Sequence, residues 1–190
     1  MVFGALALLV LSPLLVGVAL AVKLTSPGPV LFKQQRLGKD GKPFGIYKFR
    51  TMYQHLGDPT GIAHTTVDDE RITPVGRFIR RNNLDELPQL INVLRREMSI
   101  VGPRPHAIGM RAADMPYEEL VDFYFSRLQM LPGVTGWAQA NGFRGPAADA
   151  TLARSRIEHD IAYIQNFSIA LDLRTIMLTI RHEIRGGRGI

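Results

Sequence analysis

The first 22 residues carry no charge and are dominated by Leu, Val and Ala, and every lysine and arginine comes at Lys23 or later. As a straight helix this run would reach about 33 Å, enough to cross a hydrocarbon core of about 30 Å. Ser12 and Pro13 interrupt it at mid-length. Proline leaves the carbonyl of Leu9 without its helical partner, and in hydrocarbon that carbonyl needs a donor, which the Ser12 hydroxyl can supply. Two half-helices of about 15 Å, bent there, would enter and leave a membrane by the same face, whereas a kinked spanning helix accounts for the same residues. A signal peptide is a third reading, prompted by Ala19-Leu20-Ala21, but no basic residue precedes the apolar run. Because only the right flank is basic, either membrane topology leaves the bulk of the chain in the cytoplasm.

After the break Ser26-Pro27-Gly28-Pro29 the apolar pattern changes period. Residues 30–36 and 44–50 flank a turn of Gly, Lys, Asp and Pro at positions 38–43, which predicts a β-hairpin. On its second strand Ile46, Lys48 and Arg50 share one face and Tyr47 and Phe49 the other. Lys48 and Arg50 therefore either project together toward a phosphate or form a solvated strand face. Residues 54–70 read as a loop ending in the acidic run Asp68-Asp69-Glu70, and His64 with Asp68 makes no convincing metal pattern. Thr73-Pro74, an N-cap followed by proline, opens a short helix ending at Arg80 and Arg81.

Leu87, Leu90, Ile91 and Leu94 then recur at i, i+3, i+4 and i+7, and Pro88 fits only a first turn, so a helix begins near Leu87. Further on, Asp114-Met115-Pro116 predicts the cap of a helix reaching about Met130, with a stripe of Leu120, Phe123, Tyr124 and Leu128 assigned to the core rather than a lipid interface. Pro132-Gly133 stops it. A helix over 151–165 follows, with Ile157, Ile161 and Ile164 on one side and Asp160 and Tyr163 beside them. Ser168 caps a last helix, apolar nearly all round from 169 to 180 except Asp172 and Arg174, which is either deeply packed or interfacial. Its basic end, running on to Arg188, suits anionic headgroups.

Composition adds three bounds. At 190 residues the chain suffices for one domain with a core, and it shows no repeat or second domain. It lacks cysteine, so no disulfide framework exists. Its 23 Lys and Arg against 17 Asp and Glu give +6, a surface that can face nucleic acid, anionic lipid or phosphorylated substrates.

The candidate chemistry sits at the mouth of the helix that begins near Leu87. Asp85 and Glu86 lie where the aligned peptide dipoles carry about half a positive charge, a place that favours ionised carboxylates or bound anions. Acids in a first turn are usually capping residues. Here, however, Arg80 and Arg81 lie just upstream and the proline-locked Pro103-Arg104-Pro105 just downstream. Acids flanked by rigidly mounted arginines suggest a phosphate and metal site. The Gly-rich stretch around Trp137, with Gln139 and Asn141, is suited to hydrogen-bonding a base or sugar where backbone comes close; a structural turn around the Trp is the alternative.

Five motifs in this order, Lys48-Phe49-Arg50-Thr51-Met52, Arg71-Ile72-Thr73, the stretch of residues 84–90, Met98-Ser99-Ile100-Val101-Gly102-Pro103-Arg104-Pro105 and the stretch of residues 132–142, closely resemble the bacterial sugar transferases. These are the monotopic phosphoglycosyl transferases that move a sugar phosphate from a nucleotide sugar onto polyprenol phosphate. The resemblance implies an α+β fold, mainly helical with a β-hairpin, in which residues 1–22 form a re-entrant membrane hairpin bent at Ser12 and Pro13. Residues 23–190 would then be the catalytic domain on the cytoplasmic face of a bacterial inner membrane, with amphipathic helices at the bilayer surface.

The resemblance further implies that Asp85 attacks the β-phosphate of a UDP-sugar, expels UMP and forms a phosphosugar-aspartate that undecaprenyl phosphate then resolves. Glu86 would hold Mg²⁺. Lys48, Arg50, Arg80 and Arg104 would bind phosphates, and Gln139 and Asn141 the nucleotide. Anionic lipids are expected partners, nucleic acid is not, and a homodimer is left open. Such a step initiates exopolysaccharide, capsule, O-antigen or glycoconjugate assembly.

Two departures stand out. The chain starts inside the apolar run, without the basic segment that usually precedes it or the membrane bundle and extra domain of larger members, so a trimmed protein is expected. Arg96-Glu97 replaces the usual Gly-Asp, which puts the end of the central helix in question. Two rival functions fit parts of the pattern: a non-enzymatic membrane-anchored basic protein that binds nucleic acid or anionic lipid, and a Mg²⁺-dependent nucleotide-sugar hydrolase.

Overall fold

The computed structural model describes residues 2–57, 69–145 and 149–184; His64, Asp68 and the basic end beyond 184 lie outside them. Helix α1 (Val2–Thr25) runs through Pro13 as a single element. The Ser12 hydroxyl donates to the Leu9 carbonyl at 2.7 Å, so the carbonyl that proline would orphan is satisfied locally. The hairpin follows, β1 (Leu31–Leu37) antiparallel to β2 (Pro43–Phe49), paired from Leu31↔Phe49 to Leu37↔Pro43.

Both ends of α1 pack on the same body. Val18 and Val22 are buried with Phe49 of β2 and Ile79 of helix α2 (Pro74–Arg81). At the other end Gly4 lies so close to helix α3 (Gln89–Leu94) that a Cβ added there would be 3.3 Å from Val93 Cγ1. Between them the helix is bare, with Leu9 71% and Val10 68% exposed.

Helix α2 begins as expected, with the Thr73 hydroxyl accepting from Gly76 N at 2.9 Å. The expected helix start near Leu87 resolves into two pieces: a 3-10 turn, Leu84–Glu86, followed by α3 from Gln89, with Pro88 as N-cap. Asn92 of α3, fully buried, binds this helix to β2. Its side chain accepts from Tyr47 N at 3.0 Å and donates to Gly45 O and to Glu97.

The Arg96 question has a physical answer. Arg96 ends α3 in the left-handed region, at φ 60°, and the amide of Glu97 returns to Asn92 O. This is the position just past a helix that glycine fills at no steric cost.

Strand β3 (Ser99–Val101) pairs in parallel with β6 (Gly133–Thr135). Gly102, Gly133 and Gly136 let these backbones touch: an added Cβ at any of the three would overlap the opposing main chain. The Gly-rich stretch is thus spent on the β3–β6 contact, followed by the short helix α5 (Trp137–Ala140).

The helix expected up to Met130 is not continuous. Met115 and Pro116 form β5 (Met115–Pro116) against β4 (Arg111–Ala112), and Asp114 sits at φ 59° without capping anything. Helix α4 (Tyr117–Leu120) stops at an extended Val121, and a 3-10 stretch, Tyr124–Gln129, follows. Val121 and Asp122 are weak helix formers. The break turns Tyr124, Arg127 and Leu128 inward and leaves Phe123 and Phe125 outside.

Helix α6 (Ala150–Gln165), N-capped by Asp149, buries Ala153, Arg156, Ile157 and Asp160 at i, i+3, i+4, i+7. The buried face therefore includes two charges as well as the expected isoleucine. Helix α7 (Ile169–Ile184), with Ser168 accepting from Leu171 N, buries only Thr175 fully and leaves Ile169, Leu173, Met177, Ile180 and Ile184 exposed.

A left-handed arginine stores conformational strain that a glycine would not. Arg96→Gly is therefore expected to stabilise the fold by about 1 kcal/mol after the extra chain entropy of glycine is subtracted. The check is the denaturant midpoint, which should rise without a change in slope; a fall would mean that the arginine side chain matters more than its backbone.

Candidate active site

Glu86 is gripped from two sides. Lys48, carried inward by β2, reaches its Oε1 at 2.6 Å. Arg104 donates to Oε1 at 2.6 Å and to Oε2 at 3.1 Å, a two-pronged contact that only a planar guanidinium makes. These cations hold the Glu86 carboxyl well below the usual carboxylate range, Arg104 more than Lys48, against a burial effect that pushes it up. The same pairing raises the Arg104 pKa.

Asp85 differs from its neighbour. Among the described residues its carboxylate accepts no hydrogen bond. Burial raises its pKa, and the negative Glu86 beside it adds to that, while Lys48, Arg80 and Arg104 pull it down. Arg80 feels Asp85 in turn and is fixed by a 2.7 Å bond from its Nε to the Thr51 hydroxyl. One carboxylate is thus neutralised and fixed, and the other is half-buried, unbonded and surrounded by cations.

The turn that carries Arg104 is immobilised by its carbonyls. Gly133 N donates to Pro103 O at 3.0 Å, Arg127 to Arg104 O, Arg36 to Pro105 O at 3.5 Å, and Leu37 N to His106 O at 3.0 Å. Pro103 and Pro105 have no N–H to satisfy. Arg127 is itself locked by Asp160 of α6 at 2.7 Å, with both side chains almost wholly buried. His106, beneath the turn, contacts the Tyr124 hydroxyl through Nδ1 at 3.2 Å. Burial, and then the nearby Arg127, Arg156, Arg36 and Arg104, push its pKa well down and keep the ring neutral.

Of the residues singled out in the sequence, Lys48, Arg80, Asp85, Glu86 and Arg104 come together. Arg50 does not join them, which corrects its assignment as a phosphate ligand. It is buried, and its guanidinium donates to the carbonyls of Val22, Ser26 and Pro27 and to the Ser26 hydroxyl, closing the C-terminal end of α1. A cation is well placed there, where helix carbonyls are unpaired and the dipole is negative. The alternation rule put Arg50 beside Lys48, but β2 ends at Phe49 and the alternation ends with it.

Asn141 turns its amide back onto Trp137 O at 2.7 Å and acts as a helix cap. Gln139 keeps a buried Oε1 without a partner and is the freer of the two. Trp137 is half-buried under the Arg174 guanidinium, 5.4 Å from the ring centre.

Arg36 was not singled out. It lies on β1, close enough to Arg104 and Glu86 to feel both, and burial followed by Arg104 lowers its pKa to about 10. The Arg127–Asp160 pair was missed as well, although Asp160 on an apolar helical face was its available signal.

The donor set fits Mg²⁺ of one particular kind. No group of three or more His, Cys, Asp or Glu among the described residues could cage a metal. Mg²⁺ commonly binds one or two carboxylates and completes its shell with water and substrate phosphates, and Asp85 with Glu86 can offer that much. Glu86 Oε2, which takes only the longer Arg104 contact, is the more open oxygen.

Residues 1–186 match the family model described as bacterial sugar transferase. The chain belongs to the bacterial sugar transferase family. It is 55% identical over 183 residues to the exopolysaccharide production protein PSS of Rhizobium leguminosarum bv. phaseoli, covering 96% of this chain and 92% of that one. It is 48% identical to the UDP-glucose:undecaprenyl-phosphate glucose-1-phosphate transferase of Escherichia coli (strain K12), and 44% to the UDP-N-acetylgalactosamine-undecaprenyl-phosphate N-acetylgalactosaminephosphotransferase of Aeromonas hydrophila. The chain covers 94% and 92% of itself in these two matches but only 38% and 40% of the relatives, which are much longer. As a member of this family the chain is a transferase, and a non-enzymatic membrane-anchored protein that binds nucleic acid or anionic lipid is not favoured.

The depressed Glu86 pKa has a signed consequence. Its contribution to stability is present above the ordinary glutamate range and is lost as pH falls through the lowered folded value. In metal-free buffer Glu86→Gln should cost about 1–3 kcal/mol at neutral pH, toward the lower end because Asp85 is relieved of a like charge. The difference from the unsubstituted chain should shrink on acidification, as measured by denaturation at a series of pH values. A gap independent of pH would show that the carboxylate is not the source.

Proposed function

We propose that this transferase moves a sugar 1-phosphate from a UDP-sugar to undecaprenyl phosphate, through a covalent phosphosugar on Asp85. The observation that carries it is the unequal treatment of the two acids: Glu86 is paired with Lys48 and Arg104 mainly through Oε1, and Asp85 accepts no hydrogen bond among the described residues. A carboxylate oxygen of Asp85 attacks the β-phosphorus. The bond from that phosphorus to the bridging oxygen breaks, and UMP leaves with the electron pair. A phosphate oxygen of undecaprenyl phosphate then attacks the same phosphorus, the bond to Asp85 breaks, and the carboxylate is restored. Splitting one transfer between anions into two steps is what nucleophilic catalysis offers.

Arg104, Lys48 and Arg80 would lower the repulsion between the incoming diphosphate and the two acids. Mg²⁺, held by Glu86 with the substrate phosphates, would offset the diphosphate charge. Similarity to relatives named for UDP-glucose and UDP-N-acetylgalactosamine supports a UDP-sugar donor, and the relative named for exopolysaccharide production supports that pathway class.

Membrane placement is part of the same reading. A helix whose two ends both rest on one globular body, with its middle bare, suits a segment that dips into the bilayer and returns. Residues 23–190 then lie on the cytoplasmic face. The exposed stripe on α7, flanked by Arg174 and Arg181, suits the interface with anionic lipid.

Asp85→Asn keeps the shape but loses the anionic oxygen, so UMP release should stop. Mass spectrometry of the enzyme with UDP-sugar and Mg²⁺ but no lipid acceptor should find one sugar phosphate on the peptide bearing Asp85, with UMP released in equal amount. UMP appearing only on addition of undecaprenyl phosphate would replace the covalent route by a direct transfer. Free sugar phosphate formed without lipid would instead identify a hydrolase.

For the topology, cysteines placed at positions 2 and 25 should both be shielded from an impermeant reagent outside intact cells. Labelling at position 2 from outside would establish a spanning helix.

A further inference from the structure

Helix α7 has two working faces. Its outer face is the exposed stripe of Ile169, Leu173, Met177, Ile180 and Ile184. Its inner face reaches the site region at three levels. Arg174 covers Trp137, Thr179 shares a 2.8 Å hydrogen bond with Thr135 of β6, and Glu183 divides its two oxygens between two segments. Glu183 Oε2 accepts from Asn83 Nδ2 at 2.7 Å, and Oε1 accepts from Arg144 Nη1 at 2.7 Å.

Both partners of Glu183 lead to residues of the site. Asn83 is the N-cap of the 3-10 turn bearing Asp85 and Glu86; it sits at φ 52°, and its carbonyl accepts from Glu86 N at 3.4 Å. Asparagine is one of the few non-glycine residues that adopt that conformation readily, and here the Glu183 contact holds its amide in place. Arg144 donates through Nε to Gln139 O at 3.0 Å, in the stretch assigned to the nucleotide. A single carboxylate one hundred residues from the acid turn therefore ties that turn to the Gln139 segment and both to α7.

We propose that Glu183 is a positioning residue which transmits the seating of α7 on an anionic lipid surface to the turn carrying Asp85 and Glu86. The proposal rests on the interfacial reading of α7 and on the transferase reading of the acid turn. The ion pair with Arg144 is about one third exposed on each side, 31% and 34%, so it adds little to global stability. Its value is geometric. Moving the outer face from water to a bilayer fixes the helix, and the carboxylate fixes the turn with it.

Hydrogen exchange on the full chain separates the possibilities, comparing detergent micelles with bilayers containing phosphatidylglycerol. In the unsubstituted protein the amides of residues 84–90 should exchange more slowly in the bilayer. In Glu183→Ala that slowing should disappear while bilayer association and thermal unfolding stay unchanged. Glu183→Gln, which can still accept from Asn83 but loses the charge on Arg144, should keep part of it and serves if the alanine variant is poorly folded. Single-turnover UMP release in the bilayer should fall about tenfold in Glu183→Ala, within the usual range of coupling between sites. Equal slowing in both proteins, or none in the unsubstituted one, would overturn the relay. The expected exchange pattern without UMP release from any UDP-sugar would refute the transferase chemistry and leave the relay standing.

Discussion

Glu86 is where the architecture converges. Its carboxylate collects Lys48 from the hairpin and Arg104 from the turn after β3, so two parts of the chain that do not adjoin in sequence are fixed relative to the acid pair. Burying a charge is tolerable only when it is paired and hydrogen-bonded, and here each member supplies the partner another requires. Beneath this layer lies a second one of the same kind, Arg127 with Asp160, which holds the backbone of Arg104 rather than its side chain. Alongside these polar tiers stand three apolar clusters among the described residues, one around Tyr117 and Ile157, another around Val18 and Phe49, and a third around Ile46, Val93 and Met98.

The second of those clusters is also where the apolar helix α1 and the rest of the fold become one object. Arg50 closes the end of α1 with its guanidinium, and its chain neighbour Phe49 is buried in the same cluster as Val22. The next residue, Thr51, holds Arg80 near Asp85. Three consecutive residues thus link the apolar helix to the acid turn. On the proposed reading, this closeness suits an enzyme with one acceptor in the bilayer and one donor in water.

Much of this was legible in the chain. The Thr73-Pro74 cap, the hairpin, the Ser12 repair of Pro13 and the grouping of Lys48, Arg80, Asp85, Glu86 and Arg104 all depend on local rules or on ordered motifs. What was missed depends on long-range pairing. The Arg127–Asp160 pair joins residues 33 apart, and although Asp160 lies on an apolar helical face, no local rule names the partner it meets there. Arg50 was misplaced because alternation was extended one residue past the end of a strand. The break at Val121 was missed because its apolar stripe fits a continuous helix; only the inward demand of Tyr124 and Arg127 favours the interruption. In each case tertiary context overrode a sound local preference.

The turn at residues 103–105 has a property suited to life at a boundary between two solvents. Its two prolines offer no amide to water, and its carbonyls are taken by protein donors, so its geometry draws on no hydration that a bilayer surface could withdraw. On the proposed function, the guanidinium it presents should keep its aim whether the local surroundings are wet, as when a nucleotide sugar arrives, or partly dry, as when a polyprenol headgroup takes its place. An arginine on an ordinary solvated loop would have to rebuild its support at every such exchange.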